Sequence, residues 1–148
     1  MIQTIAVGTD GSATAARALD EALDMAQRFD ARLIVLSAYD SRAAYRATAA
    51  AAMTGMSIPV DAEWERHSKE RVDSILADAR ASAGRRGVQC DTDAADGDAA
   101  EVLITLAADH RADILVVGNK GMKRRVLGSV PNTVAHKAPC SVFVVKTT

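Results

Sequence analysis

IQTIAVGTDGSATAARALDEALDMAQRFDARLIVLSA, residues 2–38, decides the fold. Ile2–Val7 is a short, β-branched apolar run that Gly8-Thr9-Asp10-Gly11-Ser12 breaks as a turn. Ser12 stands at the N-cap of a helix predicted over Ala13–Phe29, where Ala16, Leu19, Leu23 and Ala26 recur at three- and four-residue spacing. Arg17, Asp20, Asp24 and Arg28 supply its wet face. Arg32–Ala38 follows at once and is almost continuously apolar, as a parallel strand covered on both faces must be. Strand, helix and strand in so short a span make a βαβ unit, and a βαβ unit implies a parallel sheet.

Working outward, Tyr39–Val60 reads as a long loop with partial helix, since its alanines allow helix while Gly55 and Pro59 interrupt it. A charged helix is predicted over Asp61–Gly84, with Asp61 as N-cap, Val72, Ile75, Leu76 and Ala79 inward, and Trp64 as packing. Val88–Ala95 is a weak third strand whose Asp91 and Asp93 suit a sheet edge. Gly97-Asp98 opens a helix to about His110, with Val102, Leu103, Leu106 and Ala107 inward. Asp113–Val117 is the fourth and most apolar strand. Ser129–His136 is a short helix that tolerates Pro131 in its first turn, and Ser141–Lys146 is the last strand. The alternation predicts one α/β domain over residues 1–148, a doubly wound, Rossmann-like sheet of five parallel strands with helices on both faces.

Composition narrows the function. Hydrophobic residues are 49% of the chain and aromatics 3%, so Ala, Val, Leu and Ile must build the core. Eighteen basic and nineteen acidic residues leave a net charge of −1, which marks no general surface for nucleic acid or an anionic membrane. There is no long apolar run to cross a membrane, and MIQTIAVGTDGS lacks the features of a signal peptide. Cys90 and Cys140 form no Cys-x-x-Cys pair, so a reducing, cytoplasmic location is expected. His67, His110 and His136 sit on separate elements, no Gly-x-Ser-x-Gly elbow occurs, and no metal-ligand or catalytic set is assigned.

The basic residues cluster instead at Lys120, Lys123, Arg124 and Arg125, inside VVGNKGMKRRVLGSV, residues 116–130. This is a strand, a glycine-bearing basic loop and then Gly128-Ser129 at a helix start. Glycines let backbone approach an anion, and helix N-terminal N–H groups face it. The spacing is neither a Walker A loop nor Gly-x-Gly-x-x-Gly, so a phosphate loop and a plain strand-to-helix turn both stay open. Ligands of doubly wound sheets bind beyond the carboxyl ends of the strands. The exits at Gly8–Ser12, Ala38–Tyr39 and Gly118–Ser129 can therefore converge on one site.

Four motifs in order carry a family resemblance: Val-Gly-Thr-Asp-Gly-Ser (Val7–Ser12), Val-Val-Gly-Asn-Lys-Gly (Val116–Gly121), Leu-Gly-Ser-Val-Pro (Leu127–Pro131) and Ala-Pro-Cys-Ser-Val-Phe-Val-Val (Ala138–Val145). Together they resemble the single-domain universal stress proteins along nearly the whole chain, which implies an adenine nucleotide alpha hydrolase-like fold. ATP-binding members share a Gly-x2-Gly-x9-Gly-Ser/Thr loop. Gly118, Gly121, Gly128 and Ser129 match its fixed positions, but six residues instead of nine lie between Gly121 and Gly128. A shorter loop wraps phosphates less fully, which bears on a triphosphate more than on the nucleoside.

Position by position, the resemblance implies that Asp10 meets ribose or a bound metal, while Gly8, Thr9, Ala38 and Val117 line the base or ribose pocket. It assigns ribose and phosphates to Gly118, Gly121, Gly128, Ser129 and Val130. The implied ligand is ATP or another adenine nucleotide such as AMP or cyclic AMP, with Mg²⁺ bridging the phosphates of a triphosphate. The implied protein is a stress-response regulator or nucleotide reservoir with little or no turnover, a homodimer through Ser141–Lys146. Two alternatives remain: a nucleotide-free interaction protein of the same family, and a weak ATPase.

Overall fold

The computed structural model describes residues 1–56, 62–119 and 126–146, apart from the side chains of 43–44 and 62–65. Ten elements follow in order: β1 (Thr4–Gly8), α1 (Ala13–Phe29), β2 (Arg32–Tyr39), α2 (Ala43–Met53), α3 (Ala62–Arg85), β3 (Cys90–Asp96), α4 (Ala99–Asp109), β4 (Ile114–Asn119), α5 (Ser129–Lys137) and β5 (Ser141–Lys146). The five strands are parallel and lie in the order β3-β2-β1-β4-β5. The chain winds outward from β1 to β3, then crosses back to add β4 and β5 on the other side. The expected doubly wound α/β architecture is what the chain adopts.

Strand alternation builds a core on each face of this sheet. Ile5, Val7, Leu33, Val35 and Val116 pack with Ala18, Ala22 and Leu23 of α1 and with Val72, Leu76 and Ala79 of α3. Ala6, Ile34, Leu36, Leu115 and Val117 meet Val102, Leu103 and Leu106 of α4 and Val134 of α5 on the other. The central strand has no wet face at all: Ile5, Ala6 and Val7 are fully buried. A fully buried Ile or Val side chain contributes roughly 1.5–3 kcal/mol.

Helix α1 keeps its expected bounds because both ends are chemically marked. The Ser12 hydroxyl accepts from the Ala15 N–H at 3.2 Å, and Asp30 closes the helix in the left-handed region with φ 51°. β1 starts two residues later than expected and ends one later, taking in Gly8, while β4 starts one later and continues to Asn119. β3 begins at Cys90, with Val88 buried just before it, and takes the expected edge position. Within Tyr39–Val60 the alanines win over Ala43–Met53. The resulting α2 packs extensively on no other element, and Tyr45 and Met53 stay exposed. The predicted Asp61 cap, the Trp64 packing and the loop residues Lys120, Gly121, Lys123, Arg124 and Arg125 lie outside what is described.

Candidate nucleotide site

In an all-parallel sheet every following helix begins at the carboxyl edge, so α1, α4 and α5 point their N-termini to the same side. There the sheet splits. β1 and β4 remain paired only as far as Val7–Val116, after which β1 leaves into the Gly8–Ser12 turn and β4 continues through Val117 to Asn119. A cavity of about 340 Å³ occupies the gap, within the size range of small-molecule sites. Its floor is Gly8, Ala38, Val117 and Gly118, and its rim carries the starts of the three helices.

Close backbone approach shapes that floor. A Cβ at Gly8 would lie 2.7 Å from Leu103 Cδ1, so the Leu103 side chain of α4 occupies the space this glycine leaves and would have to turn aside for any larger residue. At Gly118 a Cβ would stand 2.9 Å from Thr14 Cγ2 and 3.1 Å from the Thr14 carbonyl oxygen, which lets α1 settle against β4. The Gly8–Ser12 turn is held by its own polar groups. Thr9 N–H donates to the Leu36 carbonyl at 2.9 Å, and the buried Ser37 hydroxyl donates to the Thr9 carbonyl at 2.7 Å. Gly11, at φ 77°, donates its N–H to Thr9 Oγ1, while Ser12 N–H donates to Asp10 Oδ1 at 3.0 Å.

Two sets of backbone groups face the cavity. Along β2 the Leu36 carbonyl points toward β1 and the Tyr39 carbonyl toward Gly97 beyond β3. Alternation therefore turns Ala38's N–H and C=O toward the β1 side, where the chain has already left the sheet. The second set lies at helix starts. In α5, Gly128 is the N-cap without a side-chain cap, Asn132 N–H makes the first helical bond back to the Gly128 carbonyl, and Pro131 has no N–H. Ser129 and Val130 are left to offer their N–H groups, and Thr14 does the same on α1. Helix dipoles reinforce these donors and make the rim favourable to an anion.

Of the residues predicted for the site, Gly8, Thr9, Asp10, Ala38, Val117, Gly118, Gly128, Ser129 and Val130 line this one cavity, and Gly121 lies outside the described residues. Asp10 is exposed at the mouth. Ser12, read as a cap, both caps α1 and lines the cavity. Thr14, Ala15, Ala99, Leu103 and Pro131 line it too and were missed. Pro131 closes the Leu127–Pro131 motif without having been assigned to the site, the other four stand in no motif, and only the fold brings α4 over β1. Asn119 was also missed; its Oδ1 accepts from Gly128 N–H at 2.9 Å. Burial pushes the Cys90 and Cys140 thiols up, away from the thiolate that redox or nucleophilic work needs. Among the described residues no group of three His, Cys, Asp or Glu side chains could hold a metal ion.

Comparison with known proteins agrees with this architecture. The profile described as the universal stress protein family matches residues 1–146. Universal stress protein Rv1636 of Mycobacterium tuberculosis is 36% identical over 99% of this chain and 97% of its own. A universal stress protein solved in complex with cAMP superposes with a TM-score of 0.70 at 32% identity, covering 99% of this chain and 98% of that one. A family member from Burkholderia pseudomallei gives 0.76 at 28% identity over 97% and 96% of the two chains. The chain belongs to the universal stress protein family.

Proposed function

We propose that the cavity binds an adenine nucleotide, and that the protein acts through this ligand as a stress-response regulator or nucleotide reservoir with little or no turnover. One observation carries the reading: the strand-edge N–H and C=O of Ala38 and the open N-terminus of α5 face the same cavity. Ala38 C=O can accept from the adenine amino group while its N–H donates to the ring nitrogen beside it. Guanine presents the reverse pattern and would leave both groups unmatched. Ser129 and Val130 N–H, with the Ser129 hydroxyl, take a phosphate, and Asp10 at the mouth takes a ribose hydroxyl or faces a bound cation. The complex of a 32% identical relative with cAMP supports a nucleotide of this class.

With ATP, Mg²⁺ would bridge phosphate oxygens, since the described walls offer it few oxygen ligands. The loop three residues shorter than the ATP-binding pattern leaves less backbone for a triphosphate than for a single phosphate. Titration calorimetry with ATP, ADP, AMP and cyclic AMP tests the reading. We expect heat with at least one, and none with any, in protein shown to be folded, removes it. Phosphate release that survives rigorous purification and disappears in Asp10→Ala would turn the reading toward a weak ATPase.

The assembly we propose is a homodimer through β5. This strand is an edge of the sheet, and Phe143 on it is 42% exposed. An unpaired apolar edge is a pairing template, and a two-fold axis resolves it within one closed dimer.

A further inference from the structure

We infer that Asn119 is a positioning residue for the ligand's phosphate, acting through the first turn of α5; this rests on the nucleotide reading above. Leu115 and Val117 point into the apolar core on the α4 and α5 side, and the two-residue strand period puts Asn119 on that same face. An aliphatic side chain is what this position asks for. A carboxamide stands there instead, with no exposed surface. Burying such a group costs free energy unless its polar atoms are paired.

Its Oδ1 accepts from Gly128 N–H, nine residues on, and so ties the end of β4 to the start of α5 across the whole basic loop. Gly128 is also the N-cap of a helix with no side-chain cap, so the neighbouring strand fixes the residue from which α5 starts while the first-turn N–H groups stay open. The fit is close: a Cβ on Gly128 would sit 3.3 Å from Asn119 Oδ1. With Gly128 N–H spent and Pro131 without one, Ser129 and Val130 are the first-turn donors that remain for a ligand. Asn119 itself does not touch the ligand. It sets the position and direction of the two N–H groups that do, leaving the base end of the cavity, at Ala38, unaffected.

Two measurements separate this inference from the nucleotide reading. The first needs no ligand. Amide exchange by NMR should show Gly128 N–H protected in the native protein and in Asn119→Asp, which keeps the acceptor. In Asn119→Leu, which keeps the volume, exchange should be at least about tenfold faster, the size of one lost hydrogen bond. An unprotected Gly128 in the native protein overturns the inference. The second is calorimetry with AMP and with adenosine, which lacks the phosphate. Asn119→Leu should weaken AMP about tenfold while adenosine stays within roughly twofold. Equal losses for both ligands, or no loss for AMP, overturn it. If the native protein binds neither, the nucleotide reading falls while the exchange measurement still decides whether the clamp exists. Asn119→Ser, whose shorter side chain withdraws the acceptor, replaces Asn119→Leu should the latter fail to fold.

Discussion

Gly118 shows how much a single missing methyl group positions. A Cβ there would meet the Thr14 methyl at 2.9 Å and, behind it, helix backbone that cannot turn aside, the Thr14 carbonyl oxygen at 3.1 Å. Gly118→Ala must push α1 away from β4, and overpacking of this kind typically costs about 1–3 kcal/mol. Urea denaturation should show that loss, with weaker nucleotide binding beside it because the moved wall belongs to the cavity. Asp113 does comparable work at the opposite end of β4. Its Oδ2 accepts from Gln3 N–H at 2.8 Å and Thr4 N–H at 2.9 Å, and these two bonds, Gln3's first, hold its carboxyl below the usual range. A depressed carboxyl stabilises the fold above its unfolded pKa of about 3.9 and loses that contribution as pH falls through the folded value. The stability gap between the native protein and Asp113→Asn should thus be present at neutral pH and shrink on acidification below that range. A gap that is constant with pH would show that the charge is irrelevant.

At the scale of elements, α1 and α2 are instructive opposites. The bounds of α1 were readable to the residue because Ser12 caps it and a turn flanks each end, but its face was not. Leu23 and Ala26 are buried as expected, while Ala16 is exposed, Leu19 half-buried, and Ala15, Ala18 and Ala22 complete the inward stripe, because alanines on every side blur the periodicity. Ser12→Ala should cost about 1 kcal/mol through the lost bond to Ala15 N–H, measured as a lower urea midpoint at unchanged slope. α2 carried no stripe to read. Its alanines favour helix by propensity alone, so AAYRATAAAAM forms a helix that buries little. β3 was faint for a related reason: the edge tolerates Asp91 and Asp93, and that tolerance erases the apolar signal. The site divides along the same line. Gly8, Asp10, Gly118, Gly128 and Ser129 stand at or beside strand ends and helix starts, inside short motifs, and could be found from sequence. Leu103 and Ala99 reach the cavity only through the packing of α4, and Asn119 acquires meaning only from Gly128, a partner set by the tertiary fold.

For the whole molecule, the strand order leaves two edges, and they are treated differently. β3 carries aspartates, including Asp93, which pairs with His110 Nε2 at 2.7 Å, and charge of this kind discourages strand addition. β5 presents Ser141, Val142, Phe143, Val144 and Val145 before its first charge at Lys146. Association through the carboxyl-terminal edge is therefore favoured over the other. Phe143 is the side chain to test, since it is both apolar and 42% exposed. Phe143→Asp places a charge on that edge by the same device that β3 already uses, while disturbing the core little. Light scattering should find the native protein dimeric at micromolar concentrations and Phe143→Asp monomeric, with an unchanged circular dichroism spectrum. A charge added instead on β3, as Thr92→Asp, should leave the dimer intact. A native protein that is monomeric, or a Phe143→Asp variant that remains dimeric, would count against pairing through β5. Because β4 lies between β5 and the crevice, the native and monomeric proteins can also be compared in nucleotide titrations. Equal affinities would mean that each protomer carries a complete site.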